Sequence, residues 1–194
     1  MVEPSYPIET ERLLLRPLTA ADLDDLMALH SREDVARYLY LEAGDTAAIR
    51  DSFESKLGDT SLEDEGERLS LAAVRREGGP VIGEVTLWWR SRKHASGEVG
   101  FVFHPDHGGS GLATEAAAVM LDIGFRDVGL HRIIGRCDAR NEPSARLMER
   151  LGMRCEARLL ENEWVKGEWT DELSYAILDR EWNGLRPPRA PDGA

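Results

Sequence analysis

Three glycines fall within four positions, Gly108-Gly109-Ser110-Gly111, just ahead of a run whose apolar residues return every third or fourth place. Backbone without side chains, where a helix begins, presents unpaired N–H groups, and such groups attract anions. A phosphate would sit there; equally, the glycines would serve only to permit a tight strand-to-helix turn. Two named phosphate motifs do not fit. No Lys-Ser or Lys-Thr follows the glycines, so there is no Walker A loop, and G-x-G-x-x-G spacing is absent. Metal chemistry is not expected either, because Cys137 and Cys155 are the only cysteines and His30, His94, His104, His107 and His131 show no ligand spacing with them.

Acidic residues exceed basic ones by 36 to 24, a net charge of -12. Phosphate-backbone binding needs the opposite balance, so nucleic acid is not an expected partner. The same field would draw cationic small molecules or amine-bearing peptides, although solubility explains an acidic surface equally well. With 42% hydrophobic and 31% charged residues, the 194-residue chain reads as one soluble globular domain at about 150 residues per domain. The opening MVEPSYPIETERLLLRP has neither a signal core nor a membrane-crossing run, so no membrane contact is expected, and the sparse cysteines suggest the reducing cytoplasm. The domain is expected to span 1–184, with Pro187, Pro188 and Pro191 making 185–194 an irregular tail.

The glycines need a strand before them and a helix after. Residues 12–17 read as a short strand, 19–30 as a helix capped by Thr19, 45–57 as a second helix, and the acidic, turn-rich 58–67 as a mobile loop. Runs at 69–75, 81–89 and 97–103, parted by short polar turns, predict an antiparallel meander. A helix over 110–127, with Leu112, Ala116, Met120 and Ile123 on one face, then leads to a strand at 132–137. That crossover places the glycine turn at the carboxyl end of a parallel strand pair. The helix at 142–151 has marked ends: Asn141 as cap, Pro143 in the first turn, Gly152 beyond the last. Two strands, 153–162 and 168–178, meet at Lys166-Gly167. The fold class expected is α/β, a mixed, mostly antiparallel sheet of six or seven strands with helices on both faces.

Gly108-Gly109-Ser110-Gly111-Leu112-Ala113, preceded by Gly100-Phe101-Val102-Phe103-His104-Pro105, resembles the acetyl-CoA signature of the GNAT superfamily of N-acetyltransferases. Gly111 and Ala113 match its fourth and sixth places; Gly108 departs from the Gln or Arg of its first. Asn141-Glu142-Pro143-Ser144-Ala145 and Leu151-Gly152-Met153 resemble a second family segment. Glu9 to Arg16 and Gly167 to Asp171 are similar to the RimJ and RimL branch of ribosomal-protein alanine N-acetyltransferases.

The resemblance implies acetyl-CoA as cofactor and a primary amine as acceptor, a protein N-terminus or a small amine. It implies that backbone N–H groups of Gly108 to Ala113 hold the pyrophosphate, and that the main chain of Phe101, Val102 and Phe103 holds the pantetheine arm as an added strand, with an N–H near Val102 or Phe103 on the thioester carbonyl. Glu98 is the first candidate for general base, against the alternative of a surface pair with Arg90 or Arg92; His104 is the second, against a role in ending its strand. Ser144 is the candidate acid for the CoA sulfur, against plain helix capping, and Asn141 would bond the pantetheine or cap the helix. Many relatives have no obligatory base and let water carry the proton. Antibiotic or polyamine acetylation, a non-catalytic acyl-CoA sensor and a homodimer stay open.

Overall fold

Eleven residues of β4 and eight of β5 form the centre of one twisted sheet because their apolar side chains alternate between two covered faces. The computed structural model describes residues 1–185, so the proline-rich tail lies almost wholly outside the described residues. Its strands are β1 (Ile8–Glu9), β2 (Leu13–Pro17), β3 (Arg68–Arg75), β4 (Val81–Ser91), β5 (Ser96–Phe103), β6 (Arg132–Asp138), β7 (Arg154–Val165) and β8 (Glu168–Leu178), and its helices α1 (Leu23–His30), α2 (Glu33–Ala36), α3 (Thr46–Glu54), α4 (Leu112–Asp122), α5 (Glu142–Arg150) and α6 (Asp179–Leu185). The sheet order is β1-β2-β3-β4-β5-β6-β8-β7, antiparallel throughout except for β5 against β6. The sheet therefore has eight strands rather than six or seven. The extra one is the two-residue β1, too short to show a period.

One face of the sheet packs on α4, α5 and α6. Leu112, Ala116, Met120 and Ile123 are all buried there with Leu69, Leu71, Val85, Leu87, Val99 and Ile133, as the helical spacing requires. The other face packs Ala72, Val74 and Val81 under Leu26 and Leu29 of α1 and Phe53 of α3. The long helix keeps α-helical bonding only to Asp122 and then widens into a π-turn over Ile123–Asp127, closed by Val128 N–H on Ile123 C=O at 2.9 Å. Segment 58–67 is not a free loop: Leu62 is fully buried and exchanges two main-chain hydrogen bonds with Val2, at 2.8 and 2.9 Å, while Tyr6 Oη donates to Thr60 C=O. The β7–β8 turn has φ of 51° at Lys166 and 84° at Gly167, the left-handed pair that a two-residue hairpin demands.

Under α1 and α3 the sheet buries a charge cluster. Glu84 on β4 accepts from Lys56 Nζ at 2.7 Å and lies 3.0 Å from His30 Nε2. Burial alone would raise the Glu84 carboxyl, but the Lys56 charge and the His30 bond outweigh it and bring the carboxyl down to about 2. Its stabilising contribution is therefore complete above the ordinary 4.5 and lost as pH falls from there toward about 2. Lys56→Met strands a buried carboxylate and is expected to cost about 3–5 kcal/mol in urea unfolding at neutral pH, whereas Glu84→Gln should flatten the fall in stability below about pH 4.5.

Candidate active site

At its start β5 is hydrogen-bonded to strands on both sides; at its end it has only one. Its parallel pairing with β6 runs over Ser96, Gly97 and Glu98 and stops, while antiparallel pairing with β4 continues to Phe103 opposite Gly83. His104 N–H donates to Ile82 C=O at 2.8 Å, which sets the alternation of that ladder. Bonded pairs recur every second residue, so Val102 spends its main-chain groups on β4, and Phe101 and Phe103 turn theirs into the gap. The expected carbonyl-holding N–H is thus that of Phe103 or Phe101 and not of Val102. An open main-chain edge of this kind accepts an extended arm as one more strand.

The gap widens into a cleft of ≈ 670 Å³ between the segment after α2, the end of β5, the glycine loop and the start of α5. Every residue expected to hold the cofactor lines it except Ser110. Ser110 faces away, its Oγ donating to His107 C=O at 3.0 Å and its own C=O accepting from Arg12 Nη1 at 2.6 Å. One loop amide is already used, Gly108 N–H on Pro105 C=O at 2.8 Å. The N–H groups of Gly109, Ser110 and Gly111 meet no protein acceptor among the described residues. Gly109 and Gly111 have φ of 75° and 81°, which L side chains rarely adopt, and Gly111 is the N-cap of α4. Successive free amides at a helix start make a concave anion seat.

Positive charge gathers at the same cleft. Arg37, Arg146 and Arg150 line it, with Arg146 held by Glu142 at 2.9 Å and Arg150 Nε bonded to Thr114 Oγ1 at 3.3 Å. Reading the sequence missed all three. The signal available was the i, i+4 spacing of Arg146 and Arg150 on the helix that Asn141 opens.

The catalytic candidates separate. Glu98 does not line the cleft; its carboxylate accepts from Arg90 Nε at 2.9 Å and from Arg136 Nε and Nη2 at 3.1 Å, tying β4 to β6 across β5. The pair with Arg90 is present, joined by Arg136 rather than Arg92; the Glu98 carboxylate is buried while both arginines reach the surface, and both its oxygens are taken. His104 does line the cleft, but its Nδ1 accepts from Asp106 N–H at 3.3 Å, which puts the proton of the neutral ring on Nε2 and makes it a donor there. In α5 the two roles expected of one turn are divided. Asn141 Oδ1 caps the helix by accepting from Ser144 N–H at 3.2 Å, and Ser144, whose hydroxyl has no protein partner among the described residues, lines the cleft. A further acidic set lies nearby: Glu163, whose charge reads from the sequence as a landing place for a cationic amine, is hydrogen-bonded to Tyr40, and Glu172, which the sequence did not point to, is buried beside Arg136 at 3.3 Å. Burial raises the Glu172 carboxyl above its ordinary value, Arg136 opposes that and Glu163 adds to it.

Open strand edge, free amides and arginines together suit a long, extended ligand with a pyrophosphate at one end. Residues 12–154 match the family model described as acetyltransferase (GNAT) domain. The chain is 34% identical over 176 residues to the uncharacterized N-acetyltransferase YnaD of Bacillus subtilis, covering 91% of this chain and 99% of that one. It is 26% identical to the spermidine N(1)-acetyltransferase of Escherichia coli over 168 residues, 87% of each. A crystal structure of a GNAT-family acetyltransferase from Bacillus anthracis superposes with a TM-score of 0.79 at 30% identity, covering 90% of this chain and 99% of that one. With the model spanning most of the sequence and the relatives nearly all of it, the chain belongs to the GNAT family of acetyl-CoA-dependent N-acetyltransferases.

Proposed function

We propose that this enzyme moves the acetyl group directly, in a ternary complex, to a primary amine, either the α-amine of a protein or peptide N-terminus or a small amine. The observation that carries the reading is the continuity of one cleft, from the free loop amides, along the unpaired edge of Phe101 and Phe103, to the Ser144 hydroxyl. Acetyl-CoA supplies an acyl group activated as a thioester. Phe101 and Phe103 hold its arm by main-chain bonds, the N–H groups of Gly109, Gly111, Leu112 and Ala113 hold its pyrophosphate, and Arg37, Arg146 and Arg150 meet its remaining phosphate charge. Gly108 contributes space rather than its N–H. Asn141 sets the turn from which Ser144 presents a proton at Oγ to the departing sulfur. Glu98, held by two arginines, supports the arrangement of strands, and His104 faces the cleft as a donor; water takes the ammonium proton.

Residues 9–16 and 167–171, similar to the RimJ and RimL branch, support an N-terminal acceptor. A polyamine or another small cationic amine is the second reading, supported by the spermidine-acetylating relative and by Glu98, Glu163 and Glu172 lying together with Tyr40. Antibiotic acetylation rests on the same acidity. A sensor that binds without transfer has less support, since Ser144 lines the cleft where a departing sulfur would take up a proton. The acid-rich composition supports a cationic amine rather than nucleic acid as partner, and the free thiols of Cys137 and Cys155 support a cytoplasmic setting. A homodimer is compatible with the reading.

Release of CoA thiol with peptides but not with polyamines or aminoglycosides is the result expected, and acetyl-CoA binding without turnover on any amine would favour the sensor instead. Ser144→Ala should lower kcat by about 10²-fold, the usual size of a general-acid effect, with little change in acetyl-CoA affinity by calorimetry. Gly111→Val should abolish CoA binding; unaltered affinity in a folded variant would contradict the placement of the pyrophosphate.

A further inference from the structure

The segment Thr10 to Arg16 resembles a branch motif, yet only its strand has been given a purpose. Its other residues converge on one carboxylate a hundred positions away. Glu115, on the first turn of α4, accepts from Thr10 Oγ1 at 2.6 Å, from Arg12 N–H at 2.8 Å and from Arg12 Nε at 2.7 Å. The free end of the same guanidinium reaches the glycine loop, where Arg12 Nη1 donates to Ser110 C=O at 2.6 Å. This is the one side-chain hydrogen bond, among the described residues, that grips the main chain of the Gly109 to Gly111 stretch. The stretch needs such a grip, because glycines in left-handed conformations do not hold themselves.

In a trans peptide the C=O and the N–H of the next residue point to opposite sides. The Ser110–Gly111 peptide is trans. Ser110, whose C=O is held by Arg12, does not line the cleft, and Gly111 does. We propose that Arg12, anchored on Glu115, is a positioning residue for acetyl-CoA: by drawing the Ser110 carbonyl away from the cleft it turns the Gly111 N–H toward the pyrophosphate. The proposal rests on the cofactor placement given above. Arg12 does a second thing in the same place. A carboxylate on the first turn of α4 would repel a pyrophosphate bound at that helix end, and the guanidinium neutralises it. Burial would raise the Glu115 carboxyl, but Thr10 and Arg12 hold it below the ordinary range.

The two contributions separate experimentally. CoA and pantetheine share the arm but differ in the pyrophosphate, so calorimetric affinities for both are measured on wild type, Arg12→Gln, Arg12→Lys and the double variant Arg12→Gln/Glu115→Gln. Arg12→Gln should weaken CoA by about 10-fold and leave pantetheine within about twofold, the loss of one charge-assisted contact. Arg12→Lys, which cannot span Glu115 and Ser110 together, should show the same selective loss and serves if the glutamine variant does not fold. In ¹⁵N spectra the Gly111 amide should shift on adding CoA to wild type and shift less in the variants. The KM for acetyl-CoA should rise with a much smaller change in kcat. Equal weakening of CoA and pantetheine, or no weakening of either, would overturn the positioning role, as would full recovery of CoA affinity in the double variant. Wild type that binds no CoA at all would instead overturn the cofactor placement itself.

Discussion

Two neighbouring strands that part company leave polar main chain with nothing to bond, and a folded protein tolerates that only where something else will bind it. The separation of β5 from β6 after Glu98 is the constraint from which the rest of this structure follows. Each strand is kept straight by a neighbour on its far side, β5 by β4 and β6 by β8, so the gap does not close by sliding. Glu98 sits where pairing ends, and its carboxylate reaches Arg90 on one strand and Arg136 on another. A charge cluster with Lys56, His30 and Glu84 backs the same region, since Glu84 is the ladder partner of Val102. The open edge is thus held by ion pairs placed behind it and beside it rather than by packing within it.

Charge is arranged locally against the average. A chain of net charge -12 gathers arginines from just past α2 and from α5 around the cleft proposed to receive phosphate, and it cancels the one carboxylate on the first turn of α4 with Arg12. Acidic side chains collect instead on the sheet face beyond Arg136, where Glu172 and Glu163 stand near Tyr40. Net charge describes the whole surface, while a cleft responds to the few groups that line it.

Features set by short-range rules were legible in the sequence. Asn141 caps α5 and Gly152, with φ of 81°, follows its end, because capping depends on residues three or four apart. The parallel pair and the glycine turn followed from element order and composition, while the reading of that turn as a cofactor loop came only from the family resemblance. What was not legible depends on partners far apart in the chain. Nothing local says that Glu115 will meet Thr10 and Arg12, that Glu98 will be occupied by Arg136, or that Leu62 will pair with Val2 and tie down an acidic stretch that reads as free. The alternation that gives the cleft to Phe101 and Phe103 was also hidden, since a shift of one residue would have reversed it and only His104's bond to Ile82 decides.

The β7 strand forms one rim of the sheet, twelve residues long and exposed along most of its length, with Leu159 and Leu160 uncovered. A rim like that is a template for endless stacking of one copy upon another. Its pairing is broken between Leu159 and Glu163, where Glu161 takes a left-handed φ of 47°, and arginine and glutamate alternate along the stretch before the break. The kink and the charges deny a straight, neutral border to an incoming strand, so the molecule carries its own guard against fibre formation at the border where the hydrogen-bonded ladder runs out.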